Sequence, residues 1–229
     1  MNDKIKYFLI IMIISVITYI KMFNYDKLYP VYYFFINIFL FIKGLETFNS
    51  DGLKKIFRYL FLLIFYNALF NILKNGILVN DKFVLNIVKE TFLLKNIEFE
   101  LFLALFISSF VIIVCDKKKI LVLLSIILSL SIFYYKNHVL LYPLFFIIGI
   151  LLKNKINIKN TSSKFNYFIS KSFFSTYVVN IFITFILLNS EIIKFDNISD
   201  YIGVIILSVI LGLITGVYYK MFPILSKLF

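Results

Sequence analysis

The chain has 229 residues, of which 62% are hydrophobic and 20% aromatic, and a mean hydropathy of +0.96. Soluble domains are about 45–50% apolar, so a water-soluble fold is excluded: it has no interior large enough for this much apolar surface, whereas lipid removes the need for one. The net charge of +12 does not point to nucleic acid, because the lysines lie between apolar runs, where membrane topology puts them. One cysteine, Cys115, excludes a disulfide framework or multi-cysteine metal site within the chain.

A membrane-spanning helix needs about 20 apolar residues. In chain order the apolar runs are 5–23, 28–45, 56–73, 97–115, 119–135, 138–152, 167–189 and 201–222. The first lacks a small-residue cleavage signature and is followed by further runs, so it predicts a retained helix rather than a signal peptide. The first, second and sixth are short and need interfacial Tyr and Lys to reach the headgroups. Tyr25, Tyr29, Tyr32, Tyr33, Tyr134, Tyr135, Tyr142, Tyr218 and Tyr219 stand near run ends, as an aromatic belt requires. Between the third and fourth runs, Phe83, Ile87, Val88, Phe92 and Leu93 recur near helical spacing. They predict an amphipathic helix on the outer leaflet or a packed lid.

The cations alternate. Lys4 and Lys6, the Lys43–Arg58 stretch, Lys117–Lys119, the lysines from 153 to 171, and Lys220 with Lys227 fall on one side. The intervening loops are poorer in lysine or mixed with carboxylates. The positive-inside rule then predicts an all-α polytopic transmembrane helical bundle of about eight spans, both termini cytoplasmic, forming a single transmembrane domain over 1–229. The Lys-, Asn-, Ile-, Phe- and Tyr-rich bias looks like that of an AT-rich bacterial genome, and the expected location of such a helical bundle is the bacterial cytoplasmic (inner) membrane. The lipid bilayer is then a partner and nucleic acid is not.

Ionisable groups inside a bilayer are costly and are functional candidates for that reason. Glu98 and Glu100 open the fourth run; two residues apart, they diverge by about 200° on a helix, so one can face the bundle and the other the interface. Two carboxylates at headgroup level satisfy the same pattern. His138, the only histidine, precedes the sixth run and can act as a general base only with an orienting partner, which the sequence does not reveal. Arg58 is the only arginine among 24 Lys and Arg residues. With Lys54 and Lys55 it can hold a phosphate through its planar fork, or serve as a plain positive-inside anchor. One histidine, one cysteine and scattered carboxylates offer no zinc site, and no metal is expected. Thr18, Asn67, Asn71, Ser125, Ser129, Asn180 and Thr184 are expected to hydrogen-bond between helices, and Gly212 with Gly216 forms a Gly-x-x-x-Gly packing signal.

Five segments in order carry a resemblance. They are Phe39-Leu-Phe-Ile-Lys-Gly44, Lys54-Lys55-Ile-Phe-Arg58-Tyr, Phe99-Glu-Leu-Phe-Leu-Ala-Leu-Phe106, Tyr142-Pro-Leu-Phe-Phe-Ile-Ile-Gly-Ile-Leu-Leu-Lys153 and Ser172-Phe-Phe-Ser-Thr-Tyr-Val-Val-Asn180. Together they resemble the bacterial integral-membrane acyltransferase family 3, whose members transfer acyl groups, usually acetyl from acetyl-CoA, to hydroxyls of surface glycans. The resemblance implies an O-acyltransferase with acyl-CoA as co-substrate rather than a bound cofactor, and a surface glycan or glycolipid as acceptor. It implies acyl-CoA binding at Lys54, Lys55 and Arg58 and substrate binding at Tyr177 and Asn180. Glu98, Glu100 and His138 are left as the catalytic candidates.

The chain departs from the family pattern at four places and in having about eight spans where members usually have about ten. Lys6 stands where the first-helix arginine belongs, and Ile17, Thr18 and Tyr19 occupy the region of the family's catalytic histidine. Lys43 replaces the serine of Phe-Ile-Ser-Gly, and Asn180 replaces a histidine. A catalytically degenerate relative, acting with glycan-synthesis proteins in polysaccharide assembly or translocation, fits the same segments. A small transporter subunit is the third reading, although few Pro or Gly breaks interrupt the runs. The lysine alternation is checked by fusions: a fluorescent reporter inserted after Lys155 is expected to fold and fluoresce, and alkaline phosphatase fused after Asn137 to be active.

Overall fold

The computed structural model describes residues 3–46, 52–75, 99–114, 117–135, 138–153, 164–189 and 197–221. All regular structure among them is helical: α1 (Asp3–Phe23), α2 (Tyr29–Leu45), α3 (Gly52–Asn75), α4 (Glu100–Ser109), α5 (Lys118–Tyr135), α6 (Leu141–Leu152), α7 (Lys164–Asn189) and α8 (Ile198–Met221). Short 3-10 turns precede α2 and α6 and follow α4. Each apolar run of the sequence thus holds a helix. Five stretches are long and apolar enough to cross a bilayer: Lys4–Phe23, Asp26–Leu45, Leu53–Leu73, Ser172–Asn189 and Ile198–Gly216. Glu100–Ile113 and His138–Leu152 are shorter apolar helices. The expected amphipathic segment around Phe83–Leu93 lies outside the described residues, as does Glu98.

Helix α5 makes the case for lipid most directly. Ile120, Val122, Leu123, Ile126, Ile127 and Leu130 are exposed, Phe133 is 86% and Tyr134 78% exposed, and Leu121 is buried. Such a surface is untenable in water and ordinary against acyl chains. The chain is a membrane protein.

The helix ends follow local rules. Asn24 closes α1 in the left-handed region, with φ 50°, a conformation asparagine adopts at small cost. The amide of Tyr25 reaches back to the Ile20 carbonyl at 3.2 Å, satisfying an acceptor that the helix end would otherwise orphan. Pro30 sits in the first turn of α2, where its missing N–H costs nothing.

The described residues form two compact units, 1–39 with 156–229, and 40–155. In the first, α1 buries a stripe of Ile10, Ile13, Ile14 and Ile17 and packs against α7 and α8. The most extensive packing in this unit joins α7 to α8. Gly216 lies against Ser172, and Gly212 against Thr176; Asn180 Nδ2 donates to Ser208 Oγ at 3.1 Å. These three pairs, four residues apart on each helix, fix one antiparallel register. A Cβ on Gly212 would land on the Thr176 backbone and hydroxyl, so the Gly-x-x-x-Gly is a contact surface. Ser175 Oγ donates to the Gly212 carbonyl at 2.7 Å across the seam.

The second unit begins with the last turn of α2. There Gly44 and Gly149 of α6 meet backbone to backbone: a Cβ on Gly44 would strike the Phe146 carbonyl oxygen, and one on Gly149 the Phe41 carbonyl oxygen. Helix α3 stacks Tyr66 on Phe102 of α4 at 5.6 Å between ring centroids, and Phe70 meets Phe99 edge-on at 5.5 Å. Val111, Ile112, Leu121, Phe146 and Ile147 close a buried cluster.

Two expectations about polar residues are corrected. Ser125 and Ser129 do not bridge helices; each hydroxyl donates to a carbonyl of its own helix, Val122 and Ser125 respectively, because α5 presents them at an open face where the backbone is the nearest acceptor. Changing Gly212 to Leu is expected to lower stability in detergent by about 1–3 kcal/mol, the cost of overpacking a closed contact. Gly203→Ala, where an added Cβ meets nothing within 4 Å, is expected to be neutral or slightly stabilising. Thermal unfolding of the two variants measures the contrast.

Candidate functional site

Three groups of predicted residues come together differently. The first is a cavity of about 140 Å³ inside the second unit, lined by Lys43 and Glu46 after α2, Lys55 and Tyr59 of α3, Leu105 and Ser109 of α4, Ile112 beyond it and Phe146 of α6. Two ammonium groups and one carboxylate leave it net positive. Its volume matches that of cavities that admit a benzene ring, ~150 Å³. It accommodates a phosphate or the tip of an acyl chain, not a nucleotide. Of the three cations singled out by sequence, Lys55 lines the cavity, while Lys54 is exposed. Arg58 does not line it; its Nε is buried without a hydrogen-bond partner.

The second group centres on Glu100, the first residue of α4 and only 2% exposed. Of the two divergent carboxylates considered from the sequence, Glu100 is turned inward. His138 Nε2 lies 3.1 Å from Glu100 Oε1, and the buried Tyr142 hydroxyl donates to the same oxygen. Glu100 Oε2 has no hydrogen-bond partner. His138 and Tyr142 are brought to one carboxylate by the 3-10 turn that leads into α6; their rings meet edge-on at 6.3 Å. A carboxylate partner for His138, which the sequence did not reveal, stands 38 residues away in the chain. The signal in the sequence was Glu100 itself, a carboxylate at the start of an apolar run. Its partner was not legible, because α4–α6 packing makes the pair.

The third group lies in the first unit. The Tyr177 hydroxyl is 3.2 Å from that of Tyr32, and both rings are fully buried. Asn180 Oδ1 accepts from Thr18 Oγ1 at 3.1 Å while its Nδ2 donates to Ser208. Thr176, one turn earlier, lies 3.3 Å from the Tyr7 hydroxyl. Asn180 thus joins α1, α7 and α8, as expected of a polar residue inside a bundle. Lys6 is buried near the start of α1. Among the described residues no group of three or more His, Cys, Asp or Glu side chains stands together as a metal site.

The chain matches no family model, no curated protein and no solved structure. Asn180→Ala removes the acceptor of the Thr18 hydroxyl and the donor to Ser208 Oγ, whose own hydroxyl still donates to the Val204 carbonyl, and is expected to lower stability by about 0.6–1.7 kcal/mol, the range for interhelical hydrogen bonds in lipid. Asn180→Ser is expected to recover part of the loss, measured by thermal unfolding in one detergent.

Proposed function

We propose that the protein is a multi-pass component of the bacterial inner membrane, with about eight spans and both termini cytoplasmic. Its function is that of a membrane-bound O-acyltransferase-like protein that moves an acyl group, acetyl by preference, from acyl-CoA to a hydroxyl of a cell-surface polysaccharide or related glycan. The observation that carries this reading is the net-positive cavity lined by Lys43, Lys55 and Ser109, in the region where the resemblance expects the acyl donor. Two contacts add support. Gly44 and Gly149, glycines of two separate family-like segments, touch each other. Thr18, within the Ile17–Tyr19 region where that family's first-helix histidine is expected, is hydrogen-bonded to Asn180, which stands where a second histidine is usual. In the reaction the acceptor oxygen attacks the thioester carbonyl carbon, the C–S bond breaks, and the thiol leaves with the acceptor's proton.

A second reading, a non-catalytic relative that assists glycan assembly, is favoured by Ile17, Thr18 and Tyr19 in place of the first-helix histidine, with the Thr18 hydroxyl engaged by Asn180. The two are separated by glycan acetylation in a deletion strain complemented with wild-type protein or Lys55→Ala. Acyl transfer predicts loss of acetyl groups on deletion, recovery with wild type, and acyl-CoA affinity about tenfold weaker in Lys55→Ala, as for one charge-assisted contact. Full acetylation in the deletion strain would sink the enzymatic reading. Co-purification with glycan-synthesis proteins without acyl-CoA binding would favour the second.

A further inference from the structure

We infer that His138 is a general base held ready by Glu100 and Tyr142, and that it takes the proton from the acceptor hydroxyl. The identity of the donor rests on the acyltransfer reading; the chemistry of the site does not.

A carboxylate 2% exposed at the first position of an apolar helix is expensive unless its partners compensate. A purely structural acceptor would be expected to use both oxygens. Glu100 uses one: Oε1 takes the Tyr142 hydroxyl and faces His138 Nε2 at 3.1 Å, while Oε2 has no partner. The imidazole, by contrast, is 40% exposed. A buried carboxylate behind a half-exposed imidazole is the arrangement that orients a base and stabilises the imidazolium it becomes.

In the tautomer that donates Nε2–H to Glu100, Nδ1 is the nitrogen that takes up a proton. The acceptor oxygen attacks the acyl carbonyl carbon as its proton passes to Nδ1. When the tetrahedral intermediate collapses, the bond to the leaving group breaks and the imidazolium returns the proton to the departing sulfur or oxygen. The products are the new ester and a neutral thiol or alcohol. His138 is the catalytic residue; Glu100 and Tyr142 position it.

The site is close to the cavity along the helices. Leu105 and Phe146 line the cavity, five residues beyond Glu100 and four beyond Tyr142. At about 1.5 Å per residue the near edge of the cavity is roughly 6–8 Å away and its far lining, Ser109 and Ile112, roughly 13–18 Å, a span for the extended arm of an acyl donor whose charged part stays among the lysines.

The test uses the purified full chain in detergent with p-nitrophenyl acetate, which needs no acyl-CoA site, and separately with acetyl-CoA. Wild type is expected to release p-nitrophenol faster than detergent blanks. His138→Ala should lower kcat about 100-fold or more with KM little changed, and added imidazole should restore part of the rate. Glu100→Gln should also lower kcat, Glu100→Asp should retain more of it, and Tyr142→Phe should lose least. Size-exclusion profiles verify that each variant is folded, and imidazole rescue distinguishes a missing base from a damaged fold. The inference is overturned if wild type does not exceed the blank, or if a folded His138→Ala protein keeps the wild-type rate. Ester cleavage that follows the expected pattern without consumption of acetyl-CoA would uphold the site and overturn the acyl-CoA reading.

Discussion

Apolar side chains gain nothing by leaving lipid for one another, so helices in a bilayer are held by close approach and by polar groups that have nowhere else to go. The seam between α7 and α8 uses both. Gly212 and Gly216 bring the backbones together against Thr176 and Ser172, and the approach lets Ser175 reach a carbonyl on the other helix and Asn180 reach Ser208. Helix α1 joins the same seam through Tyr7 and Thr18. The first unit is built around this seam, with an isoleucine stripe filling the remaining space.

The second unit meets the same constraint differently. Gly44 and Gly149 provide one backbone contact, and aromatic pairs between α3 and α4 supply area and geometry in place of hydrogen bonds. This unit also tolerates buried polarity that is not fully satisfied: Glu100 Oε2, Ser108 Oγ and Arg58 Nε have no partners. Unsatisfied groups of this kind cost stability and are uncommon where a side chain is only scaffolding. The first unit holds such groups too, at Asn37 Oδ1 and Thr184 Oγ1, beside Asn180 and Ser175, whose polar atoms are paired.

The two candidate centres of the second unit have complementary chemistry. The cavity offers cations and little space, suited to the charged or acyl part of a small donor. The pair at the start of α4 offers a base backed by a carboxylate. A thioester donor requires both, an anchor for its charge and a group to accept the proton of the incoming hydroxyl. Neither Tyr177 nor Asn180 supplies such a group, since their polar atoms are engaged with Tyr32, Thr18 and Ser208.

Composition and patterning determined the solvent and the class of structure. Apolar runs of near-spanning length, separated by lysines, can form only helices in lipid, because backbone hydrogen bonds must be satisfied within each segment. Gly212 and Gly216 were visible as a spacing, but only the register of α7 against α8 decided that they touch Thr176 and Ser172. Glu100 was legible as a costly carboxylate and His138 as a base without a partner. Their pairing depended on the packing of α4 against α6, which joins residues 38 apart and leaves no periodicity in the sequence. Local interactions are written in the chain's spacing; a site made by two helices meeting exists only once they have packed.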